Sequence, residues 1–267
     1  MTAYDLAGKV FFITGGAGDI GRSITEGVLD KKSKVFFIDN NEEAGRKVLD
    51  ELLSKYGGNN VDFFACDVTD RDNFEEAFQQ AVDKFGHVDI MFNNAGIMCE
   101  AKPKRVVEIN LLGSIYGSEI AAAHMTKDKG GKGGRIINMS SVAGIQDITA
   151  VPTYGATKQG IRSFTISCSM QPNIEDVGIE YAVLHPGNVS TGLNSNLEPG
   201  DLLFMDKLVA IKNNLEITTM TLERVVEAFL KLVTLEKMNG AMLEVTRDKI
   251  CFVRLERQEL GSIYPPP

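Results

Sequence analysis

Val10-Phe11-Phe12-Ile13-Thr14 runs into Gly15-Gly16-Ala17-Gly18-Asp19-Ile20-Gly21, and Ile24 and Val28 follow at helical spacing. The first five residues read as a buried strand, the glycines as a tight turn, and Ile20, Ile24 and Val28 as one apolar face of a helix. A strand, a glycine turn and a helix start make a dinucleotide cradle. The unpaired N–H groups and positive dipole end of the helix can hold a pyrophosphate, and glycines let the backbone approach it.

The same alternation continues outward. Short apolar runs at Val35–Ile38, Val61–Phe64, Val88–Phe92, Arg135–Met139, Ile179–Leu184 and Ala241–Val245 read as further strands. Between them, Phe74, Ala77, Phe78, Ala81, Val82 and Phe85 mark a helical stripe. Ile109–Ala123, Gln159–Met170 and Leu222–Leu235 also read as helices. Seven strands interleaved with helices predict an α/β doubly wound fold of Rossmann type, a seven-stranded parallel sheet with helices on both faces. The chain reads as one domain over residues 1–267. Residues 192–221 form a long insertion carrying Leu197, Leu202, Leu203, Phe204, Met205, Leu208, Val209 and Ile211. It reads either as an apolar substrate lid or as core and dimer packing. Lys127–Gly134 reads as a surface turn and the Pro-rich tail as extended.

Composition narrows the function. Of 267 residues 43% are hydrophobic, too many for a disordered chain, and 36 acidic against 28 basic residues give a net charge of -8. Such a chain repels a phosphate backbone, so nucleic acid is not an expected partner. The densest basic cluster, Lys102, Lys104 and Arg105 beside Glu100, reads as a solvated helix start. No apolar run is long enough for stable membrane insertion. The first residues lack a secretory pattern, which makes the cytoplasm the expected location. Cys66, Cys99, Cys168 and Cys251 are spaced unlike a disulfide framework, and His87, His124 and His185 unlike metal ligands.

Asp39, at the end of the second strand, can accept hydrogen bonds from both ribose hydroxyls of NAD and would repel the 2′-phosphate of NADP. An ordinary helix cap before Asn40, Asn41 and Glu42 is the competing reading. Asp67, followed by Val68, can accept from an adenine amino group, and turn chemistry within Asp67–Asp70 is the alternative. Asn93, Asn94, Ala95 and Gly96 stand beyond the fourth strand, where ligands of parallel sheets bind. A plain Asn-Gly turn would look the same.

Together with residues further along, these segments resemble the short-chain dehydrogenase/reductase family over essentially the whole chain. Thr14, Gly15, Asp19, Ile20 and Gly21 look like its glycine turn, and Asn93 to Gly96 like its Asn-Asn-Ala-Gly segment. Asn110, Ser141, Tyr154 and Lys158 match its catalytic set, and Pro186, Gly187, Val189 and Thr191 its nicotinamide-side segment. Gly133–Gly144, Asn93–Leu111 and Asn239–Met242 look most like the NAD-dependent prostaglandin-oxidising branch.

The resemblance implies hydride transfer between NAD(H) and a lipophilic secondary alcohol or ketone such as a hydroxy-eicosanoid, steroid or aliphatic alcohol. It implies Tyr154 as base, Lys158 favouring the phenolate and reaching the nicotinamide ribose, Ser141 as donor to the substrate oxygen, and Asn110 as holder of a water. It also implies a homodimer or homotetramer. Two positions depart from the pattern. Asp19 replaces a glycine and should repel a pyrophosphate. Val151 replaces a glutamine that seats substrate oxygen in the prostaglandin branch and cannot donate a hydrogen bond. Asp19 supports the alternative of a non-catalytic relative with weakened cofactor binding that serves in protein interaction or structure.

Overall fold

The computed structural model describes residues 3–191, 201–203 and 219–254. In chain order they form β1 (Val10–Thr14), α1 (Asp19–Leu29), β2 (Lys34–Asp39), α2 (Glu42–Tyr56), β3 (Val61–Ala65), α3 (Arg71–Phe85) and β4 (Ile90–Asn93). There follow α4 (Pro103–Val106), a π-helical segment (Val107–Leu112), α5 (Gly113–Met125), β5 (Gly134–Met139), α6 (Pro152–Ser169), α7 (Ile174–Val177) and β6 (Ile179–Pro186). Beyond the insertion come α8 (Leu222–Val233), β7 (Ala241–Val245) and β8 (Ile250–Phe252).

The strands lie in one sheet in the order β3-β2-β1-β4-β5-β6-β7-β8. All neighbours are parallel except β7 and β8, which pair antiparallel. The sheet therefore has an eighth, antiparallel strand beyond the seven parallel ones expected. It is three residues long and returns from β7 through Thr246, whose N–H donates to Lys249 O at 2.9 Å.

Alternation along the strands builds two cores. Phe11, Ile13, Val35 and Phe37 face one side with Ile24, Val28, Val48, Leu52, Val225 and Phe229. Val10, Phe12, Phe36 and Ile38 face the other with Phe74, Phe78, Ile109, Ile120 and Met125. Burial on both faces explains why the strands read as continuous apolar runs. The strand order reverses between β1 and β4, which opens a crevice at their carboxyl ends. No helix among the described residues is long and apolar enough to cross a membrane. The proposed lid falls mostly outside the described residues. Its ends are stitched together by a parallel bridge between Val189 and Met220.

Candidate active site

The glycine turn leaves β1 through Gly15 at φ +63°, a conformation that favours glycine. A Cβ on Gly21 would stand 2.2 Å from Gly15 O, so α1 can start this close to the turn only with glycine there. Gly18 precedes α1 and supplies no side-chain cap to its first turn. A pyrophosphate fits this cradle. Asp19 is the first helical residue, and it is exposed. Its carboxylate therefore stands at the positive end of the helix that the phosphates would use.

Asp39 is not the cap of α2; Asn41 is, accepting from Ala44 N at 3.0 Å. The Asp39 carboxylate instead accepts from Ala17 N at 3.1 Å and Asn41 N at 3.0 Å, tying the glycine turn to the end of β2. Asp67 accepts from the Thr69 N–H (2.9 Å) and hydroxyl (2.8 Å) on one oxygen and from Arg105 on the other, at 2.6 Å. Burial raises this carboxyl, but the bonds from Arg105 and Thr69 outweigh it and hold it below its ordinary value. Val68 beside it is buried.

The Asn93 side chain turns into the sheet. It donates to Asn138 Oδ1 at 2.7 Å and Ser118 Oγ at 3.1 Å, while its own Oδ1 is buried without a partner. Its neighbour Asn94 joins the two strand ends, donating to Thr14 O at 2.9 Å and Gly15 O at 3.2 Å. Thr14 Oγ1 completes the joint by accepting from Asn94 N and Ala95 N, both at 2.9 Å. Gly96 is exposed at the crevice, where a Cβ would lie 3.3 Å from Asn110 Oδ1 and 3.4 Å from Lys158 Nζ.

Asn110 is fully buried in the π-helical segment, a local widening frequent at functional sites. Its side chain exchanges hydrogen bonds with Ile97 N (2.8 Å) and O (2.9 Å) and donates to Thr157 Oγ1 at 3.2 Å. Ser141 follows β5; its hydroxyl donates to Pro186 O at 3.4 Å and accepts from Ala143 N at 3.2 Å, and it lies near enough to Tyr154 to favour the phenolate. Tyr154 and Lys158 share a face of α6, with Nζ 5.4 Å from the ring centre. The four expected catalytic residues are therefore neighbours.

The electrostatics differ from the expectation of an acidified phenol. Burial pushes the Tyr154 phenol above its ordinary value, opposed by the nearby Ser141 hydroxyl. Burial also pushes the Lys158 ammonium down to about 8, and its Nζ donates to Met139 O at 3.0 Å. The ammonium thus lies over the ring and spends a donor on the main chain.

In the segment expected on the nicotinamide side, Pro186 O accepts from Ser141 Oγ at 3.4 Å, and Gly187 N donates to Val245 O at 2.8 Å. Val189 is buried in the bridge with Met220, and Thr191 is the last residue described before the insertion. Val151 is buried immediately ahead of α6.

Two contributors escape sequence reasoning. His185 is fully buried, and its Nδ1–H donates to Ser141 O at 3.0 Å. Burial pushes its imidazole down to about 4, so it stays neutral. Glu100 is buried rather than part of a solvated helix start; its partners are Thr153 N and Tyr154 N. Arg105 and Lys104 of that cluster pair instead with Asp67 and Glu108. Only the separation of Glu100 from its neighbours in space hid it, since both partners lie more than fifty residues on.

Residues 9–201 match the short chain dehydrogenase family. The chain is 33% identical to 15-hydroxyprostaglandin dehydrogenase [NAD(+)] of Bos taurus, covering 91% of this chain and 92% of that protein. It is 34% identical to 3beta-hydroxysteroid dehydrogenase 2 of Eggerthella lenta, over 70% of this chain and 74% of that one. L-fucose dehydrogenase of Rattus norvegicus is 32% identical over 70% of this chain and 68% of its own. With a doubly wound sheet, a glycine turn at its switch point and this extent of match, the chain belongs to the short-chain dehydrogenase family.

Proposed function

We propose that this protein is an NAD(H)-dependent oxidoreductase interconverting a lipophilic secondary alcohol and its ketone. The observation that carries the reading is Lys158 Nζ standing 5.4 Å from the centre of the Tyr154 ring, beside Ser141, which favours ionisation of that phenol.

Bound NAD supplies the hydride acceptor for alcohol oxidation and the donor for the reverse. The glycine turn and the start of α1 would hold its pyrophosphate, Asp39 its adenosine ribose, and Asp67 with Val68 its adenine. Ala95 and Gly96 would line its path along the crevice, with Asn93 supporting them from within the sheet. Pro186, Gly187, Val189 and Thr191 would flank the nicotinamide end, and Lys158 would reach the second ribose. In the oxidative direction Tyr154 would first lose its own proton to solvent, its phenolate favoured by the Lys158 ammonium, by Ser141 and by the positive charge of bound NAD. Its oxygen would then take the substrate hydroxyl proton. Ser141 would donate to the substrate oxygen by turning its hydroxyl from the long bond to Pro186 O. Val151 offers that oxygen no hydrogen bond, which favours an apolar substrate surface there. Its place ahead of Tyr154 also separates this site from the glutamine-bearing prostaglandin branch.

Turnover with NAD of a long-chain secondary alcohol, a hydroxysteroid and L-fucose tests the reading. Preference for the first two is expected, and preference for the sugar would overturn the substrate class. Asp19 favours a second reading, a non-catalytic relative, because an exposed carboxylate shares the helix start with the phosphates. Failure of both NADH and NADPH to bind would select it.

A further inference from the structure

α6 carries Tyr154 and Lys158 but begins without a cap of its own. Val151 precedes it with no hydrogen-bonding side chain, and Pro152 occupies the first turn without an N–H. The first main-chain donors are therefore those of Thr153 and Tyr154. Both are taken by one carboxylate: Glu100 Oε2 accepts from Thr153 N at 3.0 Å and Oε1 from Tyr154 N at 2.9 Å. The two bonds are charge-assisted and sit at the positive end of an 18-residue helix.

Glu100 is itself fixed. It is only 9% exposed, and its N–H donates to Asp201 O at 3.1 Å. Two residues on, Leu203 N donates to Ala150 O at 3.0 Å. The segment Asp201–Leu203 is thus hydrogen-bonded both to the loop after β4 and to the chain entering α6.

We infer that Glu100 is a positioning residue for Tyr154, a two-oxygen clasp that sets where the first turn of α6, and with it the phenol, stands against Ser141. The inference rests on the reaction proposed above. The Glu100 carboxylate reaches α6 through the Thr153 and Tyr154 main chain, whereas the glycine turn of the cofactor cradle is held by Asp39 and Asn94. Its loss should therefore lower kcat and leave dinucleotide affinity alone.

The test uses the full-length protein with Glu100→Ala and Glu100→Gln. Gln keeps one acceptor and turns an amide N–H toward the other donor, so it should fall between Ala and wild type. Expected in Glu100→Ala are a kcat lower by about 10- to 100-fold, as for a reacting group displaced by a fraction of an ångström to an ångström, and a Kd for NADH within about twofold of wild type. Amide hydrogen exchange at Thr153 and Tyr154 should accelerate with no change in β1 and β4. A kcat within about twofold of wild type in folded Glu100→Ala would overturn the positioning role, whatever happens to Tm. Unchanged exchange at the two amides would overturn the clasp. A wild-type protein that turns over no alcohol sinks the proposed reaction and Glu100's part in it, and the exchange measurement then shows whether the clasp exists without it.

Discussion

Ser141, just after β5, favours ionisation of Tyr154 in the first turn of α6. Its influence opposes the effect of burial on the phenol, which by itself favours the neutral form. The serine thus has two parts: it donates to substrate oxygen and it eases ionisation of the base. Ser141→Ala should lower kcat for alcohol oxidation by roughly 10²- to 10³-fold, the usual loss of an oriented donor. It should also move the alkaline rise of the pH–rate profile to higher pH. Steady-state rates between pH 6 and 11 would check both, and an unmoved rise would remove the second role.

Asp19 places a negative charge at the helix start that the phosphates need. Asp19→Gly should tighten NADH binding by about three- to tenfold, up to about 1.4 kcal/mol, with the gain shrinking at high salt. NADPH should bind more weakly than NADH in both proteins because Asp39 stays in place. Cofactor fluorescence titrations at two ionic strengths measure this. Equal affinity in wild type and variant would show that the carboxylate does not face the phosphates.

Lys158 is buried and held at about 8 by burial. A lysine depressed in the fold is neutral in both states above about 10.5, and its penalty grows as pH falls toward 8 and stays full below that. At neutral pH the penalty is on the order of 2–3 kcal/mol, partly offset by the bond to Met139 O. Lys158→Met should therefore abolish most turnover yet be at least as stable as wild type at pH 7. The difference should narrow as pH rises from 8 to 10.5. Urea midpoints across that range decide it, and a variant markedly less stable at pH 7 would contradict the assignment.

His185 acts with the same sign in an acid window. Its folded value of about 4 lies below the ordinary 6.5, so the unfolded chain binds the proton first. Its stability contribution is complete above pH 6.5 and is lost as pH falls to about 4. His185→Asn, which keeps a donor for Ser141 O, should lose about 2 kcal/mol less than wild type between pH 7 and 4.5. Chemical denaturation at pH 7, 5.5 and 4.5 provides the comparison, and parallel losses would refute it.

What could be read from the sequence was whatever local pattern controls. The run from Val10 to Gly21 contains its own strand, turn and helix signals, so the cradle and its place at the switch point were legible. β8 was not, because three residues behind a turn carry no periodicity. α6 was expected from Gln159 but starts at Pro152. Gly155, Thr153 and Thr157 are poor helix formers, and tertiary contacts from Glu100 and Asn110 compensate. Ser141, Tyr154 and Lys158 were legible as types, but their electrostatics were not. How far burial outweighs an ammonium depends on where Lys158 Nζ points, and it points to Met139 O. Glu100 sat beside three basic residues and looked solvated until its partners on α6 were in view.

The central claim is that the Tyr154 oxygen receives the substrate proton. The direct measurement is NAD-dependent oxidation of a long-chain secondary alcohol by wild type and Tyr154→Phe, with NADH affinity determined for both. The account predicts unchanged affinity and a loss of turnover on the order of 10²- to 10⁴-fold or more in the variant. A Tyr154→Phe protein that binds NADH and oxidises the alcohol at near the wild-type rate would contradict it.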